Sequence, residues 1–104
     1  MINVSVSKEF SKIRKVTIKG HAMYDDYGKD IVCSGVSSVV ITTVNAILLF
    51  DKDFISYESS KDKFEIIVNE NNEITDKLLE NMLNMLNDIE GDYPKNIKIR
   101  KENL

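Results

Sequence analysis

From Ile31 to Phe50 the chain carries its longest mostly apolar run, interrupted by Ser34, Ser37, Ser38, Thr42, Thr43 and Asn45. A run of that length either spans a membrane, which takes roughly 20 predominantly apolar residues, or is sheathed by the rest of the fold. The six small polar residues and a cysteine near its start fit a buried helix better. Val32, Val36, Val39, Val40, Thr43 and Ile47 fall on or near one stripe at helical spacing. So many β-branched residues are poor intrinsic helix formers, so the helix needs tertiary packing to hold it. The sequence therefore predicts a central helix from Asp30 to Phe50 lying against a sheet.

The remaining elements read from period and punctuation. Ile2, Val4 and Val6 alternate with polar residues, and Ile13 to Lys19 supplies β-branched bulk, which gives two strands. Phe54 to Tyr57 and Phe64 to Val68 flank the polar turn Ser59–Asp62 as a hairpin. Ile74, Leu78, Leu79, Met82, Leu83, Leu86 and Ile89 recur at three- and four-residue steps, an amphipathic helix. Gly91 is placed to cap it and Pro94 stops it from resuming. Ile97 to Arg100 closes the chain as a short strand, with the last residues frayed. The order ββαββαβ in one domain predicts an α+β, two-layer sandwich with a mainly antiparallel sheet.

With 104 residues, 30% of them charged and 42% hydrophobic, the chain suits one soluble domain. A net charge of -3 argues against coating a nucleic-acid backbone, and suits a basic protein partner. Cys33 is the sole cysteine, so no disulfide forms within the chain and a reducing, cytoplasmic setting is expected. The N-terminal residues show no secretory signal. One His and one Cys do not build a usual structural zinc site, and no phosphate-cradling glycine loop occurs.

Chemistry concentrates between Gly20 and Ser37. With Asp30 as N-cap, Cys33 stands in the first turn of the helix, where unpaired N–H groups and the helix dipole stabilise a thiolate. The same N–H groups could hold a tetrahedral oxyanion. His21 ends the second strand, and the glycine-bounded loop after it can bring the chain back so that the two side chains meet. A plainer reading stands beside this: Cys33 as a small core residue and His21 as a turn residue. Asp30 caps the helix or orients His21. Ser37, one turn after Cys33, reaches the thiol or bonds back to its own helix. Asp25 and Asp26 are a solvated loop or a greeting for a basic substrate. Tyr24 and Tyr27 pack down or form a lid. Met82 and Met85 lie in the core or on a dimer surface.

The stretch Gly20-His21-Ala22, a spacer, then Tyr27-Gly28-Lys29-Asp30-Ile31-Val32-Cys33-Ser34-Gly35-Val36-Ser37 resembles the signature of the bacterial ribosomal-processing cysteine proteases. The resemblance implies Cys33 as nucleophile and His21 as base, with supporting roles at Gly20, Asp30 and Ser37. It makes Tyr24, Asp25, Asp26, Tyr27 and Gly28 part of a substrate loop that rearranges around the right segment. It implies no metal or organic cofactor and a homodimer. The implied substrate is the N-terminal extension of the twenty-seventh large-subunit ribosomal protein, cut after a pair of aromatic residues that need an apolar pocket. A ribosome-associated module that binds a peptide without cutting it remains the alternative. A purely structural dimer with an unreactive Cys33 is a third reading.

Overall fold

A computed structural model of the chain describes residues 1–20 and 27–103. Five strands and two helices follow in the order β1 (Ile2–Glu9), β2 (Lys12–Lys19), α1 (Tyr27–Phe50), β3 (Ile55–Ser59), β4 (Lys63–Val68), α2 (Glu73–Asp92) and β5 (Ile97–Asn103). The strands form one sheet in the order β3-β4-β2-β1-β5. Three pairings are antiparallel, and β5 joins β1 in parallel. The fold is the expected α+β two-layer sandwich.

Alternation along each strand decides which face of the sheet is covered. Ile2, Val4, Val6, Val16, Ile18, Ile66, Val68 and Ile97 point to one face and are almost fully buried. The other face shows Asn3, Ser5, Lys15, Thr17 and Lys19. A bulge where Ser7 pairs with Lys15 and Lys8 with Ile13 shifts the register. It turns Ile13 back toward the core despite its odd spacing from Val16. The β1–β2 turn is made by Phe10 and Ser11, both at positive φ of 52° and 65°. That geometry matches the right-handed twist of a tight hairpin.

Both helices lie on the buried face and share one hydrophobic cluster with the strands. On α1 the stripe is Val32, Val36, Val40, Val44 and Ile47, with Thr43 donating its hydroxyl to the Val39 carbonyl at 2.8 Å. By length and composition, residues Ile31–Phe50 could cross a membrane, yet their valine stripe is in this core. On α2 Thr75, Leu79, Met82, Leu83 and Leu86 are buried. Met85 is exposed and only Met82 enters the core. Asn72 caps α2, its side-chain oxygen accepting the Thr75 N–H at 2.8 Å.

Several boundaries differ from the expectation. The first helix starts at Tyr27, so Asp30 is in its first turn and is not its cap. Extending a helix already nucleated by twenty following residues gains one hydrogen bond per residue fixed, which carries it back through Gly28. The second helix passes through Gly91 and ends at Tyr93, whose N–H bonds the Ile89 carbonyl at 2.8 Å. Pro94 explains the stop at Tyr93, since the residue before proline is pushed out of helical geometry. The final strand continues to Asn103 and is not frayed after Arg100. Val6, Ser7 and Lys8 of β1 pair with Lys101, Glu102 and Asn103 there.

Candidate active site

Gly20 fixes where the chain leaves β2. Its φ is +79°, and a Cβ there would lie 2.5 Å from the Met1 carbonyl oxygen. No side chain fits against that backbone. Its N–H donates to the Asp62 carbonyl at 3.0 Å, so the end of β2 is tied to the β3–β4 turn. The next residue is His21. His21, Tyr24, Asp25 and Asp26 lie outside the described residues, so the His21–Cys33 pairing and the substrate-loop reading lie there too. The expected loop is shortened from its far end, because Tyr27 and Gly28 belong to α1.

Cys33 is half-buried on α1 and packs against the core cluster. It is the seventh residue of the helix counted from Tyr27, where the first-turn reading had put it third. In the seventh place a backbone N–H is taken up by the helical ladder, and the dipole effect has faded after the first turn. The expected oxyanion donors are therefore not the N–H groups beside Cys33. The first turn of α1, whose N–H groups have no partner within the helix itself, is formed by Tyr27, Gly28 and Lys29. Gly35, two residues on, faces α2: a Cβ there would sit 3.6 Å from the Ile89 Cδ1, an ordinary contact.

One helical turn beyond Cys33, Ser37 opens onto a cleft of about 130 Å³. Ile18 from β2, Val36 and Val40 from α1 make its floor, and Phe64 from β4 makes a wall. Ile41 and Ser59 stand at the mouth. The floor residues are at most 3% exposed, whereas Ile41 is 52% exposed, so the concavity opens to solvent at the rim. Tyr57 stacks on Phe64 with ring centroids 6.0 Å apart and 20° between planes, which braces that wall. No local pattern in the sequence announces this cleft, because its residues come from four elements far apart in the chain. A second cleft, lined by Lys8, Lys12, Asp76, Glu80, Asn84 and Asn87 among others, is polar and sits at the opposite, hairpin end of β1 and β2. Among the described residues no cluster of three or more His, Cys, Asp or Glu side chains could hold a metal ion.

What the arrangement offers is a thiol on a rigid helix, an apolar cleft one turn away, and a strand end that delivers the chain to His21. Known proteins share this frame. The family model for the cysteine protease Prp matches residues 1–98. The ribosomal processing cysteine protease Prp of Staphylococcus aureus (strain Mu50 / ATCC 700699) is 37% identical over 101 residues, covering 94% of each chain. That of Bacillus subtilis (strain 168) is 28% identical over 111 residues, covering 95% of this chain and 96% of the relative. The crystal structure of the S. aureus protease in complex with a substrate peptide superposes with a TM-score of 0.91 at 31% identity, over 98% of this chain and 100% of that one. A second structure, of the same protease in complex with a covalently linked product peptide, gives a TM-score of 0.88 at 32% identity over the same shares. Matched along nearly its whole length in sequence and in fold, the chain belongs to the ribosomal-processing cysteine protease family, Prp.

Proposed function

We propose that this chain is a cytoplasmic cysteine endopeptidase that removes the N-terminal extension of the twenty-seventh large-subunit ribosomal protein, using Cys33 as nucleophile and His21 as base. The observation that carries the reading is Cys33 itself: the chain's sole cysteine, half-buried on α1, one turn from an open apolar cleft. The S. aureus relative with a covalently linked product peptide supports covalent catalysis in this fold. A covalent enzyme–peptide adduct is what nucleophilic catalysis by a thiol leaves behind.

In this mechanism the Cys33 thiolate attacks the scissile carbonyl carbon and forms a C–S bond. The tetrahedral intermediate collapses with loss of the C–N bond, and the His21 imidazolium gives its proton to the leaving amine. The same imidazole then takes a proton from water, whose oxygen attacks the thioester and frees the acid and the thiol. Gly20, the residue before His21 in the chain, is fixed at the end of β2, and Ser37 lies on the Cys33 face of α1. The homodimer that the family resemblance implies belongs to the same reading.

The test mixes the purified chain with a peptide spanning the extension junction and identifies products by mass spectrometry. A single cut after the aromatic pair is expected. Cys33→Ala and His21→Ala should each reduce the rate on the order of 10³-fold or more. A folded protein that leaves the peptide whole would favour a module that binds without cutting.

A further inference from the structure

We infer that the open face of the sheet binds the sugar–phosphate backbone of RNA through a row of three lysines, Lys63, Lys19 and Lys98, that runs across it. The choice of RNA among polyanions rests on the protease reading above, whose substrate is a ribosomal protein. The row itself does not.

Strand register places the row. Lys63 on β4 pairs with Lys19 on β2, Lys19 with Asn3 on β1, and Asn3 with Lys98 on β5. Ile18, Val4 and Ile97, the neighbours of these residues along the chain, are buried under the helices. Alternation therefore sends Lys19, Asn3 and Lys98 out of the opposite face, where all three are exposed. Lys63 leaves by the same face, since its Nζ reaches the Glu65 Oε2 at 3.7 Å. Neighbouring strands are about 4.8 Å apart, so the row is about 14 Å long.

Charge sets the row apart from the rest of the molecule. The chain carries a net -3, yet no carboxylate stands in this row. Lys19 and Lys63 are directly opposite each other, and like charges so placed destabilise a sheet. Glu65, one row along, is nearer to Lys15, at 3.3 Å. Lys19 and Lys98 have no ion pair among the described residues. Lysine on an edge strand hinders edge-to-edge pairing, which accounts for Lys98 on β5. Lys19 is on β2, the middle strand of the five, where there is no edge to guard. An anion laid along the row relieves the repulsion.

Chemistry selects the partner. The next row on this face is Glu65, Thr17, Ser5 and Arg100. Neither row offers the apolar anchor that the centre of a protein interface needs. A second copy of the chain would set one basic surface against another. Ammonium groups in line, with hydroxyl and amide donors beside them, suit phosphate oxygens and read no bases.

Fluorescence anisotropy of a short labelled oligouridylate, titrated with wild-type protein, reads this face without any cleavage. With three or four phosphate contacts, log K should fall against log salt with a slope of about -2 to -3, so binding weakens about 20- to 50-fold between 50 and 200 mM. The double variant Lys19→Gln/Lys98→Gln should bind about tenfold or more weakly at 50 mM, with a slope shallower by about 1.4. Lys52→Gln/Lys77→Gln removes the same charge from exposed sites on other elements and should leave affinity and slope near wild type. Lys19→Gln removes one side of the repulsive pair, so its urea midpoint should equal or exceed wild type and lost binding is not lost fold. No binding at 50 mM, or equal losses in the two double variants, would overturn the inference. Polyglutamate of the same length bound as tightly as the oligouridylate would assign the face to an acidic protein and overturn it too. Lysine-dependent RNA binding by a protein that cuts nothing would leave the face standing and remove the protease reading instead.

Discussion

Two residues show how single positions hold this architecture in place. Gly20 sits at φ +79° with the Met1 carbonyl oxygen where a Cβ would be. Gly20→Ala therefore meets a backbone clash and a left-handed conformation at once, and should cost about 1–3 kcal/mol by urea unfolding. Because the next residue is His21, cleavage should fall by more than the loss of folded protein explains. Glu65 works by charge on the open face of the sheet. Its carboxylate lies 3.3 Å from the Lys15 Nζ, 3.7 Å from the Lys63 Nζ and 3.3 Å from the Thr17 hydroxyl. Burial pushes the carboxyl up, but the hydrogen bond and charge of Lys15, the charge of Lys63 and the Thr17 hydroxyl outweigh it and hold the carboxyl below its ordinary value of 4.5. A pKa lowered in the folded state gives stability that is present above the ordinary value and is lost as pH falls through the folded one. Both lysines are about half exposed, so screening limits the gain to about 1 kcal/mol or less. Between pH 7 and pH 3 the wild type should lose that much more stability than Glu65→Gln in denaturant titrations at each pH. Equal losses would show that the cluster contributes nothing.

Among the elements, the two helices begin differently, and the difference is measurable. Asn72 caps α2 through the Thr75 N–H, so Asn72→Ala should cost about 1 kcal/mol. Asp30 is inside the first turn of α1 and not at its cap, a position where the helix dipole favours an acidic residue. Asp30→Ala should cost about half as much, by the same unfolding measurement. A larger cost at Asp30 than at Asn72 would restore the cap at Asp30. The sequence shows much of this layer because its signals are local: alternation in Ile2, Val4 and Val6, and the three-four spacing from Leu78 to Ile89. Pairing is not local. Nothing near Ile97 announces that β5 lies parallel to β1, or that it runs on to Asn103. The start of α1 at Tyr27 is hidden for another reason: Gly28 reads as a breaker, yet its cost is offset by the long helix after it. At the site, the motif from Gly20 to Ser37 is legible because it is contiguous. The apolar cleft is not, because Ile18, Val36 and Phe64 meet only after the sheet has formed.

For the whole molecule, what matters is that the thiol, the cleft and the strand end at Gly20 hang on one core. Sheet and helices contribute to a single hydrophobic cluster, from Ile2 on β1 through Val36 on α1 to Leu86 on α2 and Ile97 on β5. The Cα radius of gyration is 13.2 Å, close to the value of about 13 Å for a compact domain of 100 residues. Among the described residues the buried side chains form this one cluster, so the helices and the sheet are expected to unfold together. Leu86 is fully buried on α2 and does not line the cleft. Leu86→Ala should cost about 2–5 kcal/mol, a large share of the roughly 5–15 kcal/mol typical of a domain. The loss should appear at one midpoint in far-UV circular dichroism and in tyrosine fluorescence, because Tyr57 on β3 and Tyr93 after α2 report from opposite edges of the fold. Two separate midpoints would mean that the α1 half and the α2 half unfold independently. Coincident midpoints would mean that a defect in α2 disturbs the region of Cys33 and the cleft only when the whole chain unfolds. Under native conditions the kcat/KM of the surviving folded fraction should then match wild type.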